Sequence, residues 1–539
     1  MDGLKFITAP PPATAAAVRA DIACFVGFVG RRPVSTLTAK EDQDDQRAVA
    51  LRTRLPEWLC QWWRDRDWLP PEDRCTKEQF ERLISLRDVP VLIETWDAFD
   101  NLFAWDERPV DAAARRADTL LGAAVRSFFR QGGRKCYVVR VRDPLPVLFT
   151  QGERCSLPDE LFSPFPPLSG ADRSTWRGVG HLLGLPDVSF LCLPDLPDLF
   201  AADTVRTDLP PEPAAEEHFI ECATRVDPVG RTPLRDIPAP RCDEDGFARW
   251  GNFLATVQPF LERQAREVQF IAALPLPWND SSAAPESRRR MQRAREALWT
   301  VAANVQSASV QLTYPWLRTR DADALPERLE PPDGTLAGLL ANSALTRGAW
   351  RPVAREPVPG LLAVEPILTQ ADLGDALPFR PQIPPRPDRT RRERISVFGP
   401  TSGGLRLLSD VTTDDDEAWR PANVNRLMNL ILRAARQAGE EFAFASSGER
   451  LWAQLREALN FVLAQLCADG AFHGATPQEA FTVRCDRSTM TQADLDAGRV
   501  IATVQFTAAA PIEHIVVVFA LSEGGQVSLL SAQPLPEAA

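Results

Sequence analysis

Residues Leu120–Val141 read LLGAAVRSFFRQGGRKCYVVRV, and this stretch decides the fold class. Its first half spaces leucine, alanine and phenylalanine as an amphipathic helix does, and the Gly-Gly pair stops that helix. Its second half, KCYVVRV, is an apolar run of strand length. Upstream, PVLIET at Pro90–Thr95 predicts another strand, and the helix between them is expected over Ala112–Arg130. The order strand, helix, strand leaves a connection long enough for a parallel crossover.

The same alternation recurs along the chain. IACFVGFVG at residues 22–30 predicts a buried strand that ends in a turn. Helical patterns then precede apolar strand-like runs in three places: Trp176–Leu183 before Val188–Pro194, Phe247–Glu267 before Gln269–Pro277, and Glu286–Val301 before Ala308–Leu317. Strands that alternate with amphipathic helices indicate a mainly parallel α/β sheet with both faces covered.

Other segments depart from this pattern. A tryptophan-rich stretch from Gln46 to about Leu86 predicts an inserted helical segment, in which Trp58 and Trp62 pack into a core. Proline-rich connectors mark insertions or domain edges at Leu157–Leu168, Leu209–Pro213 and Pro381–Pro387. Near the carboxyl terminus, two apolar helical stripes precede three strand-like runs, which predicts a second unit of two helices on a sheet: Val424, Leu427, Met428 and Ile431; Leu451, Leu455, Leu459, Val462 and Leu466; Phe481–Cys485, Val500–Phe506 and Ile512–Phe519.

Composition narrows the classes of function. The chain has 539 residues and a net charge of −12, which argues against a general nucleic-acid binder because phosphate backbones attract positive charge. Its ten cysteines form no Cys-x-x-Cys pair, so we expect reduced structural thiols. No run approaches the length of a membrane span, and the proline cluster near the start is unlike a signal peptide, so we expect cytoplasmic assembly.

Catalytic chemistry is hard to find in the sequence. The four histidines, His181, His218, His473 and His514, lie in no recognisable motif. GVGHLLG at residues 178–184 lacks the spacing of a dinucleotide-binding loop and reads as a packed helix start. The acidic run Asp414–Glu417 lacks calcium-loop spacing and reads as a solvated loop. We therefore predict no catalytic, cofactor-binding or metal-ligating residue, and a protein that works through its surfaces.

Several segments together resemble the sheath proteins of contractile phage tails, tailocins and extracellular contractile injection systems. They are FVGFVGRRP at Phe25–Pro33, PVLIETWDAFDNLF at Pro90–Phe103 followed by the stretch quoted first, PPDGTLAGLLANSALTRGAWRPVA at Pro331–Ala354, and the segment from WRPANVNRLMNLILRA at Trp419 to Phe519. The last segment is the most specific. Pro331–Ala354 looks like the surface loop and turn where sheath proteins carry a Gly-x-Trp element.

The resemblance implies a mainly parallel α/β sheath core, a C-terminal domain of two helices and a sheet, and inserted segments. The expected boundaries are an N-terminal arm (1–20), the first part of the core (21–145) with the tryptophan-rich insertion at about 40–86, a proline-rich inserted or peripheral region (146–240), the rest of the core (241–390), the C-terminal domain (391–520) and a tail (521–539).

The resemblance also implies a function. The expected protein polymerises around an inner tube and contracts, with further copies of itself, the tube protein, and baseplate and cap or terminator proteins as partners. Neither nucleic acid nor direct membrane insertion is expected, and the particle is assembled in the producer cytoplasm and can be released. Candidate inter-subunit strand residues are Leu4, Phe6, Ile512, His514, Val516 and Val518, on strands expected to offer an unpaired edge. Arg426, Arg433 and Arg436, expected on the exposed side of a helix, are candidate contacts to the tube or a neighbour.

Departures from the family pattern leave alternatives open. The usual extended arm is shortened to Leu4–Thr8, the stretch from Lys40 to Leu86 is long, and the turn at Ser402–Asp410 is altered. These changes also suit a specialised sheath relative at the baseplate or cap. From other classes, an α/β hydrolase-like enzyme with an unrecognised site and a monomeric binding scaffold remain possible, because an α/β fold hosts many functions.

Overall fold

The computed structural model of the chain describes residues 19–32, 55–69, 76–110, 115–154, 156–165, 167–203, 237–280, 284–368, 394–441, 448–474, 476–508, 514–521 and 527–534. They fall into two units. The larger unit holds the described residues of 22–343 and 352–422, and the smaller unit holds those of 1–21, 344–351 and 423–539. Across these ranges no helix is both long enough and apolar enough to pass through a bilayer.

A mixed sheet organises the larger unit. Its eight strands are β1 (Ala23–Phe28), β2 (Pro90–Ile93), β3 (Cys136–Arg142), β4 (Phe190–Cys192), β5 (Gln269–Ala273), β6 (Val310–Tyr314), β7 (Ile395–Thr401) and β8 (Gly404–Leu407). They lie in the order β8-β7-β6-β5-β4-β1-β3-β2. All neighbours from β7 to β3 are parallel, whereas β8 and β2 are antiparallel additions at the two edges. The predicted mainly parallel α/β sheet is confirmed.

The central strands are continuous apolar runs because both faces of the sheet are covered. Every residue of β1 is buried, and so are the first six of β3. The parallel register pairs Ala23 with Cys136 and Val26 with Val139. These strands follow the sequence prediction closely.

Within the described residues, this part of the chain has seven α-helices of seven residues or more: α1 (Glu57–Arg64), α2 (Lys77–Ser85), α3 (Trp96–Leu102), α4 (Leu120–Arg130), α5 (Glu244–Gln264), α6 (Pro285–Asn304) and α7 (Asp333–Thr346). Side-chain oxygens cap several of them. Thr119 accepts a hydrogen bond from the Gly122 amide at 3.0 Å at the start of α4, and Asp243 accepts one from Gly246 at 3.0 Å at the start of α5. Helix α4 packs on β1, where the rings of Phe25 and Phe128 meet edge to face at 5.6 Å.

Short elements connect these parts. The short strands are Gly30–Arg31, Phe103–Ala104, Arg108–Pro109, Arg116–Ala117, Arg241–Cys242, Leu276–Pro277, Trp316–Thr319 and Leu361–Glu365. The short helices, some of them 3-10, are Gln151–Arg154, Pro158–Leu161, Arg173–Thr175, Gly178–Gly184, Leu196–Leu199, Ala322–Ala324 and Pro326–Arg328. The helix predicted over Ala112–Arg130 therefore begins later, at Leu120.

The orientation of β2 corrects the predicted crossover. Strand β2 runs antiparallel to β3, and the parallel partner of β3 is β1. The sequence shows the alternation of strand and helix but not which earlier strand is the spatial neighbour. The tryptophan-rich segment forms α1 and α2 within its described residues; Trp62 and Trp63 are buried, whereas Trp58 is 43% exposed.

Two expected boundaries are wrong. Residues 146–240 are not only peripheral, because they supply β4, a central strand of the sheet. The C-terminal domain does not begin at residue 391, because β7 and β8 belong to the larger sheet. The other domain boundaries stay predictions.

Helix α7 corrects the surface loop expected in Pro331–Ala354. Its residues from Asp333 to Ala341 are all buried. Glycines allow the close approach to α4, since a Cβ atom at Gly334 would lie 2.3 Å from the Ala124 carbonyl oxygen and one at Gly338 would lie 2.6 Å from that of Phe128. A helix that is apolar on all sides is a buried helix, and the expected surface loop rested on the family resemblance alone.

The smaller unit combines two helices with an antiparallel sheet. Its elements are α8 (Ala422–Glu441), α9 (Glu449–Ala468), β9 (Phe481–Arg484), β10 (Val500–Thr507), β11 (His514–Leu521) and β12 (Val527–Pro534), with short helices at Pro477–Ala480 and Gln492–Asp496. The strands lie in the order β9-β10-β11-β12. This is the two-helix and sheet arrangement that the sequence predicts, with one detail changed: the buried stripe of α9 continues through Leu463, not Val462.

Candidate functional site

In a sheet of this kind, a ligand site is expected at the carboxyl edge. From β1 the chain reaches β3 on one side and then β4 on the other, so the connections change direction between β1 and β4. In open parallel sheets, ligands bind outside the carboxyl ends of the strands at such a switch point.

In this chain the switch point is filled by the side chain of Asp195, which follows β4. Its Oδ2 accepts a hydrogen bond from the Phe28 amide at the end of β1, at 2.7 Å. The approach is so close that a Cβ atom at Gly27 would lie 2.2 Å from this oxygen and 2.9 Å from Leu121 Cδ1. The crevice that would receive a substrate is thus occupied by the protein's own groups.

Buried carboxyl groups gather near this edge. Burial raises the pKa of Asp195 to about 7, of Asp333 to about 7 and of Glu330 to about 8. Asp333 accepts a hydrogen bond from the Gly334 amide at 2.9 Å, and Glu330 accepts one from the Ser127 hydroxyl at 2.8 Å. Burial therefore favours the protonated form of all three carboxyl groups.

A buried ion cluster lies beside them. Asp198 accepts from Arg108 at 2.5 Å and lies 3.5 Å from Arg154, with all three side chains less than a tenth exposed. Burial opposes ionisation of Asp198, but the two guanidinium groups outweigh it and hold its pKa below the ordinary value. This arrangement stabilises charge within the fold and leaves no free acid or base.

The buried histidine His181 is the main candidate for a catalytic base. Its Nε2 lies 3.0 Å from Asp88 Oδ1, and that oxygen also accepts from the Gly178 amide at 2.9 Å. Arg82 and Arg177 approach the other carboxylate oxygen at 3.0 and 3.4 Å. Although burial opposes it, these contacts keep the pKa of Asp88 below its ordinary value.

A nucleophile is missing from this pair. In the part of the chain that the structure describes, His181 Nδ1 has no hydrogen-bond partner, so no hydroxyl or thiol is bonded to the ring. A cleft of about 930 Å³ opens beside Asp88, lined largely by arginine and carboxylate side chains. The predicted packing of GVGHLLG also holds, because a Cβ atom at Gly178 would lie 1.9 Å from the Leu161 carbonyl oxygen.

The predicted arginine contacts are corrected by the structure. Arg426 is 4% exposed and donates from Nε to the Ala349 carbonyl at 3.0 Å and from Nη2 to the Arg351 carbonyl at 3.2 Å. Arg433 is 8% exposed and donates to the Arg19 carbonyl. Placing both on an exposed face was wrong, because the amino-terminal three turns of α8 are buried all round. Arg436 is half-buried, and its role stays a prediction.

The predicted inter-subunit strand is corrected in part. His514, Val516 and Val518 lie on β11, which pairs with β10 on one side and β12 on the other. The prediction that β11 is an unpaired edge was therefore wrong. Among the described strands, the edges of this sheet are β9 and β12. Leu4, Phe6 and Ile512 lie outside the described residues.

No family model matches the chain. A curated tail sheath protein of Burkholderia phage BcepMu is 27% identical over 226 residues, which are 40% of this chain and 43% of the relative. The chain therefore matches less than half the length of that relative.

Two solved structures share the fold over nearly the whole chain. One chain in the cryo-EM structure of the anti-feeding prophage baseplate in its contracted state has a TM-score of 0.55 and 16% identity, covering 95% of this chain and 96% of the other. A chain in the six-fold symmetrised anti-feeding prophage baseplate has a TM-score of 0.50 and 19% identity over the same shares.

Proposed function

We propose that this chain is a structural subunit of a contractile tail sheath. It shares sequence with a tail sheath protein and its fold with chains of a contractile particle, and both similarities support the contractile tail sheath family. It polymerises around an inner tube and contracts to drive that tube through a target envelope. The observation that carries this proposal is the combination of a fold match over 95% of the chain with a sequence match to a protein named for the sheath.

The geometry of these sites supports a protein that acts through contacts with other proteins and not through catalysis. The switch point of the sheet is occupied by Asp195, and the imidazole of His181 has a carboxylate partner but no bonded nucleophile among the described residues. Nucleophilic catalysis needs a nucleophile and a base within hydrogen-bond reach. We therefore favour a non-enzymatic subunit over the hydrolase-like alternative.

Assembly follows from head-to-tail contacts. A contact that joins two different faces of the same protein does not close on itself and builds rings or an open helix. Both edges of the large sheet are four-residue antiparallel strands, which offer little backbone to a further strand. We propose that strand exchange takes place at the smaller sheet, whose edge strand β12 spans eight residues, with the arm at Leu4 and Phe6 as the donor.

The remaining partners follow from the same function. The inner tube protein lies inside the polymer, and baseplate and cap proteins terminate it. The producer cell assembles the particle in its cytoplasm, and the particle can act outside that cell. A specialised baseplate or cap component is the second candidate, because the two solved structures described above are baseplate structures.

Electron microscopy of the purified full-length chain, alone and co-expressed with a tube protein of a contractile particle, tests this function. A sheath subunit yields hollow cylinders of many stacked rings. A baseplate or cap component yields single rings or adds only to the end of a tube. Monodisperse single copies under all these conditions would contradict both.

A further inference from the structure

Helix α8 carries two buried arginines that bind backbone carbonyl groups. Arg426 donates to the carbonyls of Ala349 and Arg351, at 3.0 and 3.2 Å. Two turns further along the helix, Arg433 donates to the Arg19 carbonyl. At 3.6 residues per turn, these two positions lie on the same face. This face of α8 therefore fixes the paths of two chain segments that are distant from it in sequence.

The Arg433 contact lies at the base of the amino-terminal arm. Arg433 is 8% exposed, and its acceptor Arg19 belongs to the same unit as α8. The Arg19 side chain binds Asp21 through two hydrogen bonds of 2.9 and 2.6 Å, and Asp21 is buried. We call residues 19–21 the arm root. The arm root is held by α8 through its backbone and by an ion pair through its side chains.

A guanidinium group that binds a main-chain carbonyl fixes the course of the backbone, whatever side chain the bound residue carries. Because the arm root is already ordered in the single subunit, its ordering does not oppose pairing of the arm with another copy. Fixing the backbone of one residue shifts an equilibrium by about tenfold. A loose arm root would therefore weaken strand exchange by about that factor for each residue that assembly has to order.

We propose that Arg433 is a positioning residue for strand exchange between copies of this chain. It fixes the point at which the arm leaves the subunit, so that Leu4 and Phe6 reach strand β12 of a second copy. The chain from Leu4 to Arg19 spans at most about 50 Å when fully extended, which limits the distance to that strand. The proposal rests on the function proposed above and gives Arg433 a role other than the tube contact expected from the sequence.

Trypsin digestion tests whether Arg433 holds the arm root, since trypsin cleaves after arginine and the Arg19 carbonyl belongs to the bond that is cut. Proteolysis follows the population of the locally opened form. Arg433→Ala should raise the rate of cleavage between Arg19 and Ala20 at least tenfold, measured by mass spectrometry of the fragment that begins at Ala20. Arg426→Ala is the matched control, because it removes a buried arginine that holds residues 349–351 instead, and it should leave this rate within about twofold.

Assembly with a tube protein tests the consequence for strand exchange. In sedimentation assays, Arg433→Ala should need a concentration at least tenfold higher than Arg426→Ala does to form polymers. The same two variants should differ by less than about twofold in chains that lack residues 2–18, because a residue that acts only through the arm has no effect without it. A merely structural role for Arg433 would weaken assembly equally in both backgrounds.

Three results would overturn the proposal and leave the sheath function standing. They are unchanged cleavage after Arg19 in Arg433→Ala, equal polymer formation by Arg433→Ala and Arg426→Ala, and a difference between these variants that persists without residues 2–18. If removing residues 2–18 leaves wild-type assembly unchanged, strand exchange by the arm is wrong and so is the proposal. If the full-length wild type forms no polymer with a tube protein, the proposed function itself is wrong.

Far-ultraviolet circular dichroism separates failure to assemble from failure to fold. If Arg433→Ala does not fold, Arg433→Gln takes its place in every comparison, because its amide is too short to keep the same contact but leaves a polar group at this buried position. Arg426→Gln is then the matched control.

Discussion

Gly27 leaves the room that the Asp195 carboxyl group occupies at the large sheet's switch point. Only a residue without Cβ lets the Asp195 carboxyl reach the Phe28 amide, since an added carbon would lie 2.2 Å from the carboxyl oxygen. The sequence pattern predicts the strand around Gly27 but not this contact, because Asp195 lies 167 positions from Phe28 and no periodic pattern connects the two residues.

We expect Gly27→Ala to destabilise the larger unit by about 2–3 kcal/mol, because the buried carboxyl must move and leave an amide without its acceptor. Urea unfolding followed by tryptophan fluorescence measures the change. Gly152→Ala is the control, since nothing lies within 4 Å of a Cβ atom there. Equal midpoints for Gly27→Ala and the wild type would refute the packing argument.

Arg426 gives a second prediction at this scale. Replacement by alanine removes the donors to the Ala349 and Arg351 carbonyls, so we expect a loss of about 2–4 kcal/mol in the stability of the smaller unit. Thermal unfolding by circular dichroism measures it, and Arg436→Ala, at a half-buried position, should cost less. An Arg426→Ala protein with wild-type stability that binds tube protein poorly would restore the contact predicted from sequence.

At the scale of elements, the kind of burial determines which helices and strands can be predicted from the sequence. Strands β1 and β3 were predictable because burial on both faces demands unbroken apolar runs. Helix α7 was missed because the family resemblance implied a surface loop there. The burial of α8 was missed because the segments that cover it, including Ala349 and Arg351, are distant in sequence. Contacts made by tertiary neighbours leave no periodic signal.

The contact of α7 with α4 predicts a pH dependence. The carboxyl of Glu330, just before α7, has its pKa raised to about 8, so the folded state binds this proton more tightly than the unfolded chain does. Stability then falls as the pH rises from about 5 to about 8, because ionisation favours the unfolded state. Glu330→Gln should flatten this slope in urea titrations at several pH values. Glu81→Gln, on an exposed side chain, should leave it unchanged, and an unaltered slope in Glu330→Gln would count against the assignment.

At the scale of the whole molecule, the two sheets differ in the length of their edge strands. The large sheet is covered, and its edges are short, whereas the smaller sheet ends in a strand of eight residues. The mainly parallel α/β fold and the separate C-terminal unit were predictable from the alternation of elements. Which strands lie at edges was not, because pairing order depends on contacts distant in sequence.

Strand β12 gives the prediction at this scale. Deleting residues 522–539 uncovers the backbone of β11, whose sequence HIVVVFAL is apolar, so we expect uncontrolled aggregation in light scattering in place of ordered polymers. Deleting residues 535–539 alone is the control and should leave assembly intact. Ordered cylinders from the longer deletion would show that β12 does not protect this edge.

The three buried carboxyl groups with raised pKa values affect what happens when the protein is heated. Each is a weaker acid in the native protein than in an extended chain, so melting the larger unit at neutral pH sets hydrogen ions free. A heated sample in dilute buffer should turn more acidic as it denatures, and the calorimetric heat should vary with the ionisation enthalpy of the buffer.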